Sequence, residues 1–268
     1  MSASFLQLLF FGIIVAGANV LGGLILFPST VHRNYKRFLK YILALSAGFM
    51  LALTFLEILP KTIKLWQTPE NLALAGEDLY VPMLLLLAGY LLTQFFEHTI
   101  APHFHLGEEV HQTEHIKPSS AYTAIGGLMI HTFFDGVSIS AAALLDYKVG
   151  ILVFIAVFLH KFPEGFTIGS MMLAAGKGLR EVLITTSLVG LTTIIGLLAF
   201  YFIGTNVGFS LAYALPLACG VTLYVAASDL IPEVNHHAGK RPLVSLSVFA
   251  GVAIFFALHF LLHSLLEG

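Results

Sequence analysis

Two stretches carry the residues able to do chemistry: HTFFDGVSI at 131–139 and HKFPEGFTI at 160–168. They align position by position, with His, Phe, Gly and Ile shared, Asp135 opposite Glu164, and Ser138 opposite Thr167. Each places a histidine and a carboxylate four residues apart, so both side chains lie on one face of a helix. Imidazole and carboxylate together suit divalent ions such as zinc, iron and manganese. Two such pairs on facing helices supply four ligands around one point: His131, Asp135, His160 and Glu164. Both stretches lie inside long apolar runs, where each ionisable group costs roughly 2.5–3.5 kcal/mol. With Lys161 the five groups cost on the order of 10 kcal/mol, which demands a compensating partner or ligand. The alternative is core histidines satisfied by their own carboxylates, which explains one such pair more readily than the same pair twice.

The neighbouring residues sharpen this reading. Pro163 has no N–H for the carbonyl of Leu159, so a kink is expected beside His160. Gly136 and Gly165 allow close helix approach. Ser138 and Thr167 lie one turn beyond the carboxylates, where a hydroxyl either bonds a backbone carbonyl or faces the ion path. Asp229 is a further candidate for that path. Glu57 and Glu233 stand close to Pro60 and Pro232, at expected span ends where a carboxylate reaches the interface. His259 and His263 are also four apart, but no acid lies near them in sequence, which favours a structural or interfacial role.

These residues must be positioned by membrane helices. The chain has 268 residues, 57% apolar and 10% charged, against about a quarter charged in soluble proteins. About 20 apolar residues span a bilayer. That rule gives eight spans, at about 5–27, 38–59, 79–100, 122–145, 149–173, 182–203, 209–231 and 243–266. They form one all-α transmembrane domain over 1–268. Helices are forced because backbone groups in hydrocarbon must pair internally, and the alternating pattern of a barrel is absent. The apolar run after the N-terminus has no basic leader and is expected to be a span, not a cleaved signal. Only LDYK separates the fourth and fifth spans, so they are antiparallel neighbours and their nonapeptides form a local inverted repeat, a recurring way to build transport sites.

Loops after odd-numbered spans hold nine Lys and Arg residues and loops after even-numbered spans hold three. By the positive-inside rule both termini are expected outside the cytoplasm. The cytoplasmic loop at about 102–120 then carries His103, His105, His111 and His115, a tract suited to weak metal capture. The expected partners are a divalent ion, the lipid bilayer and, as one option for assembly, a second copy in a homodimer. The host membrane is expected to be a plasma or bacterial inner membrane. No basic patch supports nucleic-acid binding, and the single Cys219 excludes a disulfide scaffold. An integral membrane metalloenzyme, such as a zinc hydrolase, is the competing reading, since the same donors can leave one position open for water.

The HxxxD and HKFPEG pair, with AGFMLALTF in the second span and SDLIPE in the seventh, is similar to the ZIP (Zrt-, Irt-like protein) family of metal transporters. The eight spans, the outside termini and the histidine-containing loop after span three match as well. The resemblance implies no enzyme. It implies transport of Zn2+, or related ions such as Fe2+, Mn2+ or Cd2+, towards the cytoplasm by an elevator-like or alternating-access movement. It also implies a metal site from His131, Asp135, His160 and Glu164, with Met50 placed to add a thioether. The chain departs from the family where span four often reads HNxPEG: Thr132, Phe134 and Asp135 stand in place of Asn, Pro and Glu. Lys161 occupies a position that holds a further ligand in two-metal members, and span six has no interior carboxylate. One metal is therefore expected in the central site, with Lys161 as a tethered counter-ion.

Overall fold

A computed structural model describes residues 4–27, 29–68, 79–100, 118–206, 211–238 and 242–266. Among them lie eight helical spans and no strand. The first is Phe5–Leu24. Ser4 opens it with a capping box: its hydroxyl accepts from the Gln7 N–H at 3.3 Å, and the Gln7 side chain accepts from the Ser4 N–H at 2.8 Å. The second span runs as Ser29–Leu53, a π-helical segment Thr54–Ile58 and a continuation Leu59–Trp66. The basic segment expected as the first loop is thus already helical. Tyr80–Ile100, Pro118–Leu145, Tyr147–Ala174 and Leu179–Asn206 form spans three to six. The seventh is again in three parts, Leu211–Tyr224, π-helical Val225–Leu230 and Ile231–Ala238. Pro242–Leu266 is the eighth.

The helices of spans two and seven run past the ends expected at 59 and 231. Both helices continue through Pro60 and Pro232. A proline inside an α-helix removes one hydrogen bond and crowds the carbonyl four residues before it. In both spans a π turn directly precedes the proline and shifts the bonding to i→i+5, as in Leu59 N–H to the Thr54 carbonyl and Ile231 N–H to the Ala226 carbonyl. The extra residue relieves the crowding, so the helix bends and does not stop. Glu57 and Glu233 lie within these continuous helices and are 4% and 2% exposed, inside the bundle.

Asp146 alone separates the fourth and fifth helices and caps the fifth by accepting from the Lys148 N–H at 2.9 Å. This single-residue turn forces the two helices antiparallel and adjacent. The link after span five turns on Gly176, whose φ of +73° is the left-handed conformation that glycine adopts without a Cβ clash. Spans one, four, five and six pack against one another as one group, while span two pairs with eight and span three with seven. Glycines let the backbones touch in all three groups, as at Gly48 against Val248 and Gly89 against Leu217; in the first, a Cβ on Gly136 would strike the Thr193 carbonyl of span six, and one on Gly165 would strike the Asn19 carbonyl of span one. The close approach at Gly136 and Gly165 is therefore to spans six and one, and it fixes the two nonapeptides against their outer neighbours.

Candidate metal centre

The fourth and fifth spans bring His131, Asp135, His160 and Glu164 together, each offering a ligand atom within 4.8 Å of the others. All four are buried. Asp135 Oδ2 is the hub, 3.4 Å from His131 Nε2 and 3.3 Å from His160 Nε2. A tetrahedral zinc ion with bonds of about 2.0–2.1 Å separates its ligand atoms by about 3.3–3.4 Å, so this spacing fits one ion.

The ring orientations also suit ligation. His160 Nδ1 lies 3.1 Å from the carbonyl of Ala156, one turn back on its own helix. Donation from Nδ1 leaves the Nε2 lone pair facing Asp135, the tautomer a metal requires. His131 Nδ1 has Glu97 Oε1 of span three at 3.5 Å, an ion-pair distance that falls short of a made hydrogen bond. The helix carrying His160 runs on through Pro163.

Lys161 places its ammonium inside this cluster, although its neighbour His160 occupies the ligand face. The group is fully buried and its three N–H donors meet three acceptors: Glu164 Oε2 at 2.5 Å, Asp135 Oδ2 at 2.8 Å and Thr132 Oγ1 at 3.0 Å. Glu164 Oε1 accepts from Asn19 Nδ2 at 2.7 Å and Thr132 Oγ1 at 3.1 Å. Both carboxylates are thus satisfied by donors a cation can supplement or displace.

The remaining candidates separate. Ser138 Oγ donates to the Phe134 carbonyl at 2.8 Å, and Thr167 Oγ1 to the Pro163 carbonyl at 3.0 Å. Met50 is buried among the residues of the main apolar core. Asp229, in the π segment of span seven, joins Glu97 and His131 in a second group with ligand atoms within 4.8 Å. Tyr224 and Asp229 are each in hydrogen-bond contact with Glu97. His259 does find an acid, Glu57 Oε2 at 3.0 Å, through a contact between spans eight and two that sequence distance concealed. His103, His105, His111 and His115 lie outside the described residues.

Two residues that contact this cluster carry no motif of their own. Asn19 sits in span one, and its only sequence signal is a polar amide deep in an apolar helix. Glu97 sits in QFFEH near the end of span three, where an acid reads as interfacial.

The family model described as ZIP zinc transporter matches this chain over residues 3–125 and 105–259. The chain is 32% identical over 116 residues to zinc transporter ZIP4 of Homo sapiens, covering 43% of this chain and 18% of that protein. Zinc transporter ZIP10 of Mus musculus is 31% identical over 121 residues, 45% of this chain and 14% of that protein. Metal cation symporter ZIP8 of Homo sapiens is 30% identical over 106 residues, 40% of this chain and 23% of that protein. The matched stretch therefore spans less than a quarter of each of these relatives. The family model covers most of the chain, and the eight apolar helices and the buried His/Asp/Glu cluster agree with it: this is a multi-pass membrane protein belonging to the ZIP zinc transporter family.

Proposed function

We propose that this chain transports a divalent metal ion, zinc foremost, towards the cytoplasm, and that the ion binds His131, Asp135, His160 and Glu164. The observation that carries the reading is the convergence of those four side chains, with ligand atoms within 4.8 Å, in the interior of the bundle. Fe2+, Mn2+ and Cd2+ are admitted by the same nitrogen and oxygen donors. Residues 1–268 act as one transport domain in a plasma or bacterial inner membrane, and not as an enzyme.

Lys161 is a tethered counter-ion. Two carboxylates facing each other in a dry interior repel, and the ammonium balances them until the metal arrives. It also occupies space beside Asp135 and Glu164 where a second cation would sit, so the site takes one ion. Glu97, His131 and Asp229 form the next station. His131 belongs to both groups, so the ion exchanges ligands without leaving that imidazole. Ser138 and Thr167 bond carbonyls of their own helices and keep lone pairs for water along the path. Met50 of span two, buried in the bundle, adds a thioether to the ion. The histidines of the 102–120 loop capture released metal on the cytoplasmic side. Division of the bundle into a four-helix group, whose fourth and fifth spans hold the site, and two further helix pairs supports an alternating-access movement between them.

Uptake into proteoliposomes with a panel of ions, run beside a lipid-hydrolysis assay, tests this. Wild-type protein should accumulate zinc and hydrolyse nothing. His160→Ala and Glu164→Ala should lose most uptake at matched protein abundance in the membrane. Near-normal uptake by both variants would remove the site assignment, and hydrolysis without uptake would favour a membrane metalloenzyme.

A further inference from the structure

Asn19 lies in the interior of the first span and is fully buried. The other polar side chain of that helix, Gln7, is used in the N-terminal cap. A buried carboxamide is costly unless both its ends are paired. Only one end is: Asn19 Nδ2 donates to Glu164 Oε1 at 2.7 Å, while Oδ1 has no hydrogen-bond partner among the described residues. Exchanging the amide atoms would set two acceptor oxygens against each other, so the orientation follows from chemistry.

The position is rigid. The Gly165 Cα sits against the Asn19 carbonyl, and any side chain there would collide with it. Glycine directly after Glu164 therefore lets the first span bring Asn19 to the carboxylate. Within one amide, Oδ1 lies about 2.2 Å from Nδ2, which puts it within about 5 Å of Glu164 Oε1. Glu164 is one of the four converging ligand residues.

We infer that Asn19 Oδ1 is a further, neutral oxygen ligand of the transported cation, supplied by the first span. This rests on the site assignment made above. The chemistry has a consequence for release. Asp135, Glu164 and Lys161 together carry one net negative charge when the imidazoles are neutral. A neutral amide oxygen adds coordination without adding charge, so it selects the ion without holding it more tightly by long-range attraction. Being a hard donor, it favours manganese, iron and zinc over the softer cadmium.

The experiment uses the full chain in detergent micelles, with Cys219→Ser as background. Cd2+ is the probe, followed by the ultraviolet thiolate-to-cadmium charge-transfer band, and Mn2+ is the hard competitor. The background protein should bind one equivalent of Cd2+ with no thiolate band. Asn19→Cys should show the band, saturating at one equivalent, because the thiol replaces the amide oxygen at the ion. Asn19→Ala should bind Mn2+ at least tenfold more weakly, a loss in the range seen for residues around metal sites, and should lose less affinity for Cd2+. A thiol that stays silent while Cd2+ is bound would overturn the inference. So would Asn19→Ala that binds both ions as the background does, or loses equally for both, as expected of a tie between spans one and five. If Asn19→Cys fails to insert, the Mn2+ to Cd2+ ratio of Asn19→Ala decides alone. A background protein that binds no Cd2+, or whose binding survives His160→Ala, overturns the site assignment itself and this inference with it.

Discussion

Replacing Lys161 by Met removes a buried ammonium that touches two carboxylates, at 2.5 Å and 2.8 Å. Methionine nearly matches the lysine stem in length, so packing is preserved and the change is mainly one of charge. Removing one partner of a buried ion pair costs about 3–5 kcal/mol, because the other charge is left uncompensated. That cost applies to the metal-free protein. With a divalent ion bound, the two carboxylates are balanced without the lysine, so the loss should be largely recovered. Thermodynamic linkage then requires tighter metal binding by the same 3–5 kcal/mol, or about two to three and a half orders of magnitude. Direct repulsion gives an independent bound. An ammonium about 4.5 Å from a divalent ion, at an effective dielectric of 20, is repelled by about 7 kcal/mol. The smaller figure is preferred, since the flexible stem lets the ammonium retreat when the ion arrives. Thermal-shift midpoints in micelles, with chelator and with saturating zinc, should show a large deficit in the first condition and little in the second. Calorimetry should show tighter binding and one ion in wild type, and transport should slow because release slows. Equal destabilisation with and without metal, unchanged affinity, or two ions in the wild-type central site would refute the counter-ion argument.

Three other expectations follow from the same charges and placements. A cysteine introduced between His103 and His115 should be labelled only from the cytoplasmic side in intact cells; labelling from outside would reverse the orientation and the direction of transport. Replacing His103, His105, His111 and His115 together should alter apparent affinity or regulation while substantial uptake persists, and complete loss with normal insertion would place essential ligands in that loop. Lys61 pairs with Asp146 at the turn between spans four and five, with side chains 28% and 32% exposed, so the pair contributes at most about 1 kcal/mol. Burial raises the Asp146 carboxyl, but the hydrogen bond and charge of Lys61, with backbone N–H bonds, outweigh it and hold the group below its usual range. A depressed carboxylate stabilises the fold above its unfolded value of about 3.9 and loses that contribution as pH falls through the lower folded value. The gap in thermal midpoint between wild type and Lys61→Met should therefore persist at neutral pH and close below about pH 4; a gap independent of pH would count against the pair.

The eight apolar helices and the central His/Asp/Glu cluster were legible because each rests on local physics. Run length and the absence of charge mark a membrane helix, and an i,i+4 histidine and carboxylate share a face whatever surrounds them. A one-residue turn at Asp146 makes two such helices neighbours, so the meeting of His131, Asp135, His160 and Glu164 follows from chain order. The helices run past the ends expected at 59 and 231 because proline stops a helix only where the backbone stays α-helical. The preceding π turns depend on how spans two and seven pack, which no local pattern reveals. Glu57 with His259, Glu97 with His131, and Asn19 with Glu164 are separated by 202, 34 and 145 residues. Those pairings belong to the tertiary structure alone: an isolated polar residue in an apolar helix announces that it needs a partner, but only the packing of one span on another decides which partner it meets.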